Sequence, residues 1–278
     1  MAIQFTASDH KYQSINQDEQ IEWISVTSVI SLFKKAFDKE AQAIKSSKNK
    51  RSKWYGMTPE EIITVWDSSN SDALGLGTWY HNQREADLLS CNTIGRLGLD
   101  VPVFKPIEDN GIKIAPEQNL IEGIYPEHMV FLKSAGVCGQ ADRVEVIRDE
   151  VNIYDYKTNK EIKLEGFKNW EGITEKMLDP ISHIDDCNYM HYALQLSIYM
   201  YIMIKHNPNL KPGKLVLEHI IFKKEGLDQY SNPIYQKDQD GNPVVDKVVS
   251  YDLPYLKKEV VALFKHLQNY PELKKKKK

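Results

Sequence analysis

What most constrains the folding of this 278-residue chain is charge written into apolar strands. Gly139-Gln140-Ala141-Asp142 runs on through Val144 and Val146, and after a polar turn Val151 and Ile153 lead to Tyr154-Asp155-Tyr156-Lys157-Thr158. Successive side chains of a strand point to opposite faces, so Asp142 shares a face with two valines, and Asp155 and Lys157 share theirs with Val151 and Ile153. Two acids and a lysine are thus sent to the face that hydrophobicity marks as inward, where an unpartnered ion is costly. If Arg148-Asp149-Glu150 marks an even-length hairpin turn, Val146 pairs with Ile153 and Asp142 lies opposite Lys157, with Asp155 one diagonal step away. Diagonal neighbours are about 7–8 Å apart, within reach of two carboxylates converging on one ion.

The strand upstream supplies a third acid. Tyr125 to Leu132 runs into Lys133-Ser134-Ala135-Gly136, a turn signal, and an even register there sets Glu127 across from Asp142. Facing acids repel unless something positive separates them. A divalent cation with oxygen ligands, Mg²⁺ or Mn²⁺, meets that need. The plainer alternative is a structural ion pair of Asp142 with Lys157, although desolvating both ions makes such a pair a poor source of stability.

An acid before a hairpin, followed by Asp-x-Lys on the next strand, resembles the PD-(D/E)XK nuclease superfamily. Ala141-Asp142 stands where the pattern has Pro-Asp, and Asp155-Tyr156-Lys157 forms the second half. Two further segments are similar to the RecB-like exonuclease branch. Gly77 to Glu85, with His81 four residues before the Glu, matches its upstream helix motif, and Gln195 with Tyr199 matches its downstream Gln-x-x-x-Tyr. The motifs span residues 77–200 in the family's order, which is far more specific than any one alone. A looser likeness of Asp9-His10-Lys11-Tyr12 and of residues 25–30 is to phage-encoded members.

The resemblance implies a restriction-endonuclease-like core over about residues 77–223. It implies that His81, Asp142, Asp155 and the Tyr156 carbonyl bind Mg²⁺ or Mn²⁺, with Glu127 beside them for a second ion or a bound water. Lys157 becomes the catalytic lysine, and Glu85, Gln195 and Tyr199 support the site or contact DNA. The implied activity is hydrolysis of phosphodiester bonds from DNA ends, duplex or single-stranded, in phage recombination, replication or repair, alongside a recombination partner protein. A structure- or sequence-selective endonuclease, a catalytically silent DNA-binding protein of the same fold, and a phosphodiesterase acting on other substrates remain as alternatives. Read on their own residues, His81 and Glu85 share a helix face with Leu88 and Leu89, as a core histidine would. Gln195 and Tyr199 lie one turn apart in the apolar run 189–204, a buried helix whose Gln needs a partner.

A formal net charge of −3 argues against nucleic acid unless positive potential is local. It is local between Lys34 and Lys53, where Lys45, Lys48, Lys50, Arg51 and Lys53 precede Trp54-Tyr55. Basic residues beside aromatics suit phosphate neutralisation with base stacking; a solvated helix face is the alternative. Residues 272–278 are expected to form a disordered lysine tail. Three cysteines, Cys91, Cys138 and Cys187, cannot supply the four ligands of an iron–sulfur cluster, so none is expected. Their odd count and the lack of a signal-like or membrane-length apolar run point to the cytoplasm, the host's if the chain is phage-encoded. Neither Gly-x-Ser-x-Gly nor a phosphate-binding loop motif occurs.

The pattern predicts one domain over residues 1–271, an α/β fold with a mixed central sheet flanked by helices and an N-terminal helical elaboration. Thr27 is expected to cap a helix ending at Phe33, and residues 37–48 form a second. Thr58-Pro59-Glu60-Glu61 starts a third through Trp66, and a separate motif helix covers 72–89. Loop or short strands fill 95–123, and a three-strand meander occupies 124–158. Residues 159–186, with Trp170, receive no assignment beyond lining a substrate path. A strand at 214–223, a hairpin over 229–251 around Asp240-Gly241-Asn242, and a helix over 253–267 complete the reading.

Overall fold

In the computed structural model, which describes residues 3–6, 11–16, 18 and 21–277, the meander expected at 124–158 forms the centre of a mixed sheet flanked by helices. Asp9 and His10 lie outside the described residues. Strands β1 (Ile3–Thr6), β2 (Lys11–Ser14) and β3 (Ile24–Ser25) precede helices α1 (Val26–Leu32), α2 (Lys39–Lys48) and α3 (Pro59–Leu89). Short strands β4 (Thr93–Arg96), β5 (Leu99–Pro102), β6 (Ile107–Asp109) and β7 (Ile112–Ile114) lead into the long β8 (Gly123–Leu132), β9 (Val137–Ile147) and β10 (Glu150–Lys157). Then come α4 (Asn188–His206), β11 (Lys211–Phe222), the small hairpin of β12 (Lys224–Leu227) and β13 (Pro233–Tyr235), β14 (Val245–Asp252) and α5 (Lys257–Asn269).

The central sheet runs β14-β11-β10-β9, antiparallel except for the parallel β10–β11 pair, with β8 along the far edge of β9. Because β8 covers that edge, β3, which pairs in parallel with Val137 and Cys138, must share the edge of β9 that β10 occupies from Arg143 to Ile147. Residues 139–142 of β9 are left between the two, an opening in the ladder. Val144 and Val146 of β9, Val151 and Ile153 of β10, and Leu215 and Leu217 of β11 meet α1, α4 and α5 in the main core. α4 is apolar nearly all round, as a helix buried between layers must be. On the opposite face Leu76, Trp79 and Tyr80 of α3 pack on Tyr156, Ile220 and Phe222.

Several expectations are corrected. Ser25, not Thr27, caps α1, its hydroxyl accepting from the Ser28 amide, because Val26 already has helical geometry. The two helices expected at 59–66 and 72–89 are one. Thr58 and Glu61 form a capping box with Pro59 in the first turn, and nothing stops the helix for 31 residues. Gly75 and Gly77 weaken its propensity by about 1 kcal/mol each, but Leu76, Trp79 and Tyr80 pack on the sheet beside them, so tertiary contact carries the helix through. The expected 229–251 hairpin divides: Asp240-Gly241-Asn242 closes a small turn, while β14 returns to pair with β11. The chain end is no loose tail over its described part, since residues Pro271–Lys277 form a 3₁₀ turn, Leu273 packs on the core and Lys274 donates to the Ala135 carbonyl at 2.5 Å. Among the described residues no helix is long and apolar enough to cross a membrane.

Candidate metal centre

The turn between β9 and β10 is two residues long, Arg148-Asp149, with Ile147 facing Glu150 and Val144 facing Ile153. This is two residues away from the expected register, since Glu150 belongs to β10 and Arg148 takes a left-handed conformation (φ +59°) that closes the shorter turn. Asp142 therefore stands opposite Asp155, not Lys157. The ladder ends at the Arg143–Tyr154 pair. Beyond it the Asp142 carboxylate enters the opening and accepts the Tyr156 amide at 2.7 Å, replacing the missing backbone bond. Glu127 does lie across from Asp142, as expected, between the pairs Pro126–Arg143 and His128–Ala141. It does so at φ +48°, a conformation that costs a non-glycine residue about 1–2 kcal/mol.

Across the opening, α3 delivers His81. Its Nε2 lies 3.0 Å from the Tyr156 carbonyl oxygen, which leaves Nδ1 facing the acids, 3.5 Å from Asp142 Oδ2 and 4.0 Å from Glu127 Oε1. One ligand atom each from His81, Glu127 and Asp142 fall within 4.8 Å of one another. An imidazole nitrogen and two carboxylate oxygens are a donor set that could hold a divalent cation. Orienting a ligand histidine through its other nitrogen is the usual device of a metal site.

Asp155 and the Tyr156 carbonyl, both expected as ligands, have other partners. Asp155 Oδ2 contacts the Lys157 ammonium, and Oδ1 accepts from Gln195 Nε2 at 3.4 Å. The Tyr156 carbonyl accepts from His81 and, at 3.3 Å, from Lys157. The register explains both: with Asp142 across from Asp155, Lys157 lies past the end of the ladder and folds back on its own strand. Gln195 also donates to the Tyr199 hydroxyl at 3.3 Å, so the two residues one turn apart on α4 brace Asp155. The Tyr199 ring passes so close to β9 that a Cβ on Gly139 would sit 2.7 Å from it, which is why glycine stands there. Glu85 forms an ion pair with Lys113 at 3.1 Å, and both charges act on Glu127.

The electrostatics record an excess of buried acid. Burial, and then the Asp142 charge, push the Glu127 carboxyl well above its ordinary range. Burial raises Asp155 to about 6, opposed by Lys157 and reinforced by Asp142. Burial disfavours the Lys157 ammonium, yet Asp155 and Asp142 together hold it above the usual lysine value, so it remains charged. Burial likewise lifts the Tyr199 phenol.

The basic segment lies elsewhere. Lys45, Lys48, Lys50 and Arg51 are exposed on α2 and the loop after it. Lys53 bonds to the Tyr230 carbonyl and covers the Trp54 ring. Trp54 is not available as a stacking platform, because Tyr230 stacks on it and Trp66 packs edge-on; Tyr55 is the exposed aromatic. Trp66 and His81 are 15 positions apart on one helix, about 22 Å at 1.5 Å per residue. Trp170 is 92% exposed in the 159–186 segment. Arg143, Glu145, Glu218 and Lys113 take part in ion pairs around the site without having been singled out in the sequence. Only the parity of Arg143 and Glu145, polar residues alternating with the core valines, hinted at a second charged face.

Comparison with family models and with curated proteins finds no match to this chain. Among solved structures, one described as "Crystal structure of SSO0001" aligns over 92% of this chain and 81% of that one, at 14% identity and a TM-score of 0.31. A likeness that slight carries no argument about fold or function.

Proposed function

We propose that this protein is a metal-dependent deoxyribonuclease with a PD-(D/E)XK, restriction-endonuclease-like core, acting on DNA ends. The observation that carries the reading is the convergence of His81 Nδ1, Glu127 Oε1 and Asp142 Oδ2 beside a half-buried, charged Lys157. A divalent cation held by these three would lower the pKa of a bound water and neutralise charge on a scissile phosphate. The Lys157 ammonium, fixed by Asp155 and the Tyr156 carbonyl, is placed to orient the attacking water and to offset negative charge developing on phosphate oxygens. Gln195 and Tyr199 hold Asp155 and hence the lysine. Lys45, Lys48, Lys50 and Arg51 offer the exposed phosphate-binding surface that a chain of net charge −3 otherwise lacks.

The test uses end-labelled linear and closed circular DNA with Mg²⁺, Mn²⁺ or chelator. Degradation of the linear form alone, abolished by chelator, is expected. Lys157→Ala should reduce the rate about 10³-fold while DNA binding in chelator is retained. Cutting of circles would replace the reading by an endonuclease. Binding without cutting in either metal would leave a catalytically silent protein of this fold.

A further inference from the structure

The residue between the acid and the lysine of β10, Tyr156, has a side chain to which the motif gives no part. Its backbone touches two of the three proposed ligands: the amide donates to Asp142 Oδ2, and the carbonyl receives His81 Nε2. Where Tyr156 sits therefore decides where Asp142 and His81 point. Its side chain lies on the other face of the sheet, nearly fully buried, with its ring edge-on to Tyr80 at 5.8 Å and its hydroxyl accepting from Arg143 Nη1 at 3.0 Å. Arg143 is itself held fast. Nη2 donates to Glu218 at 3.2 Å, Nε lies 3.3 Å from Glu145, and the guanidinium lies 3.9 Å above the centre of the Tyr154 ring. Arg96 pairs with Glu145 in turn.

Asp142 and Arg143 are consecutive, so they project to opposite faces of β9. Both hold Tyr156, one by its amide and the other by its phenol. They do so beyond the last rung shared with β9, where β10 is held along its other edge by β11 but has no backbone bond to β9.

We propose that Arg143 and the Tyr156 phenol are positioning residues for the metal centre, a clamp on the far face of the sheet that sets the angle between the Asp142 carboxylate and the His81 imidazole. The inference rests on the metal reading above. Groups outside the ligand shell that orient ligands alter metal affinity by about 10–100-fold when lost. Removing the phenol deletes one of these contacts and leaves the ring packing, the charges and all three ligands in place.

The experiment titrates Mn²⁺ against the parent, Tyr156→Phe, Tyr154→Phe and Asp142→Asn, following thermal stabilisation and so needing no substrate. Tyr156→Phe should raise the half-saturating Mn²⁺ concentration about tenfold and still reach a plateau. Tyr154→Phe, which deletes the neighbouring phenol of the same face, should overlay the parent. A responsive parent, an unresponsive Asp142→Asn and a Tyr156→Phe curve identical to the parent would overturn the clamp and leave the metal centre standing. A parent that does not respond to Mn²⁺ would remove the metal centre and the clamp together. If Tyr156→Phe fails to unfold cooperatively, Glu218→Gln, which frees Arg143 from the other side, is read by the same two outcomes.

Discussion

Asp142 and Arg143 are neighbours in β9, yet the charges gathered around each are balanced differently. Around Arg143, two arginines and two glutamates interlock: Arg96 with Glu145, and Arg143 with Glu145 and Glu218. Around Asp142, four acids, Glu85, Glu127, Asp142 and Asp155, are answered by two lysines, Lys113 paired with Glu85 and Lys157 paired with Asp155. The first set satisfies itself and shapes the sheet. The second leaves negative charge that folding alone does not neutralise, and it is there that backbone strain at Glu127 and a ladder opening also occur. Uncompensated charge and strain meeting at one place are the features that the proposed metal site would use.

Mutations that neutralise one acid on each side separate the two cases most strongly. Glu145→Gln leaves Arg96 and Arg143 short of a counter-ion in a buried setting and should lower stability by about 3 kcal/mol, measured by guanidinium unfolding. Glu127→Gln removes a repelled carboxylate and should raise metal-free stability by about 1 kcal/mol, with Mn²⁺ stabilisation lost. If both substitutions destabilise equally, the contrast between the two sides is wrong.

Gly139→Ala sharpens the picture from the α4 side. The added methyl must displace the Tyr199 ring, which braces Gln195 and through it Asp155, at a cost of about 1–3 kcal/mol. For a chain of this length that is a fall of a few degrees in Tm by calorimetry, at about 2–4 °C per kcal/mol. An unchanged Tm would show that Tyr199 is not held against β9.

The smallest effect is the dependence on pH. Burial lifts Asp155 to about 6 in the folded protein, above the ordinary carboxyl value, and lifts Glu127 in the same direction. Groups whose folded pKa is raised bind more protons folded than unfolded, so their contribution to stability is lost as pH rises through the folded value. The metal-free Tm should therefore rise when pH is lowered from 7 through 6, and Asp155→Asn should flatten that slope. A metal-free Tm that falls steadily over that interval would contradict the excess of buried acid.

Much of the site was legible in the sequence because strands have a period of two. The parity of Asp142, Asp155 and Lys157 with the core valines placed their strands' charges inward, and Glu127 across from Asp142 followed from an even turn. Helical spacing set Gln195 and Tyr199 one turn apart on a buried helix, where they do meet, but for His81 it offered only the core position beside Leu88 and Leu89. What parity could not give was registry. Shifting the hairpin by two residues keeps every side chain on its face, so hydrophobicity is blind to it, and only the two-residue turn decided that Asp142 faces Asp155.

The sequence by itself thus determined which residues lie inward and which strands carry them, because burial selects faces. The tertiary structure alone decided which acids share His81, why Asp155 belongs to Lys157, and that Arg143 grips the back of Tyr156. Those outcomes depend on a few ångströms between separate elements, set by turn length, a ladder opening and the packing of α3 on the sheet, and local sequence preference has no hold on any of them.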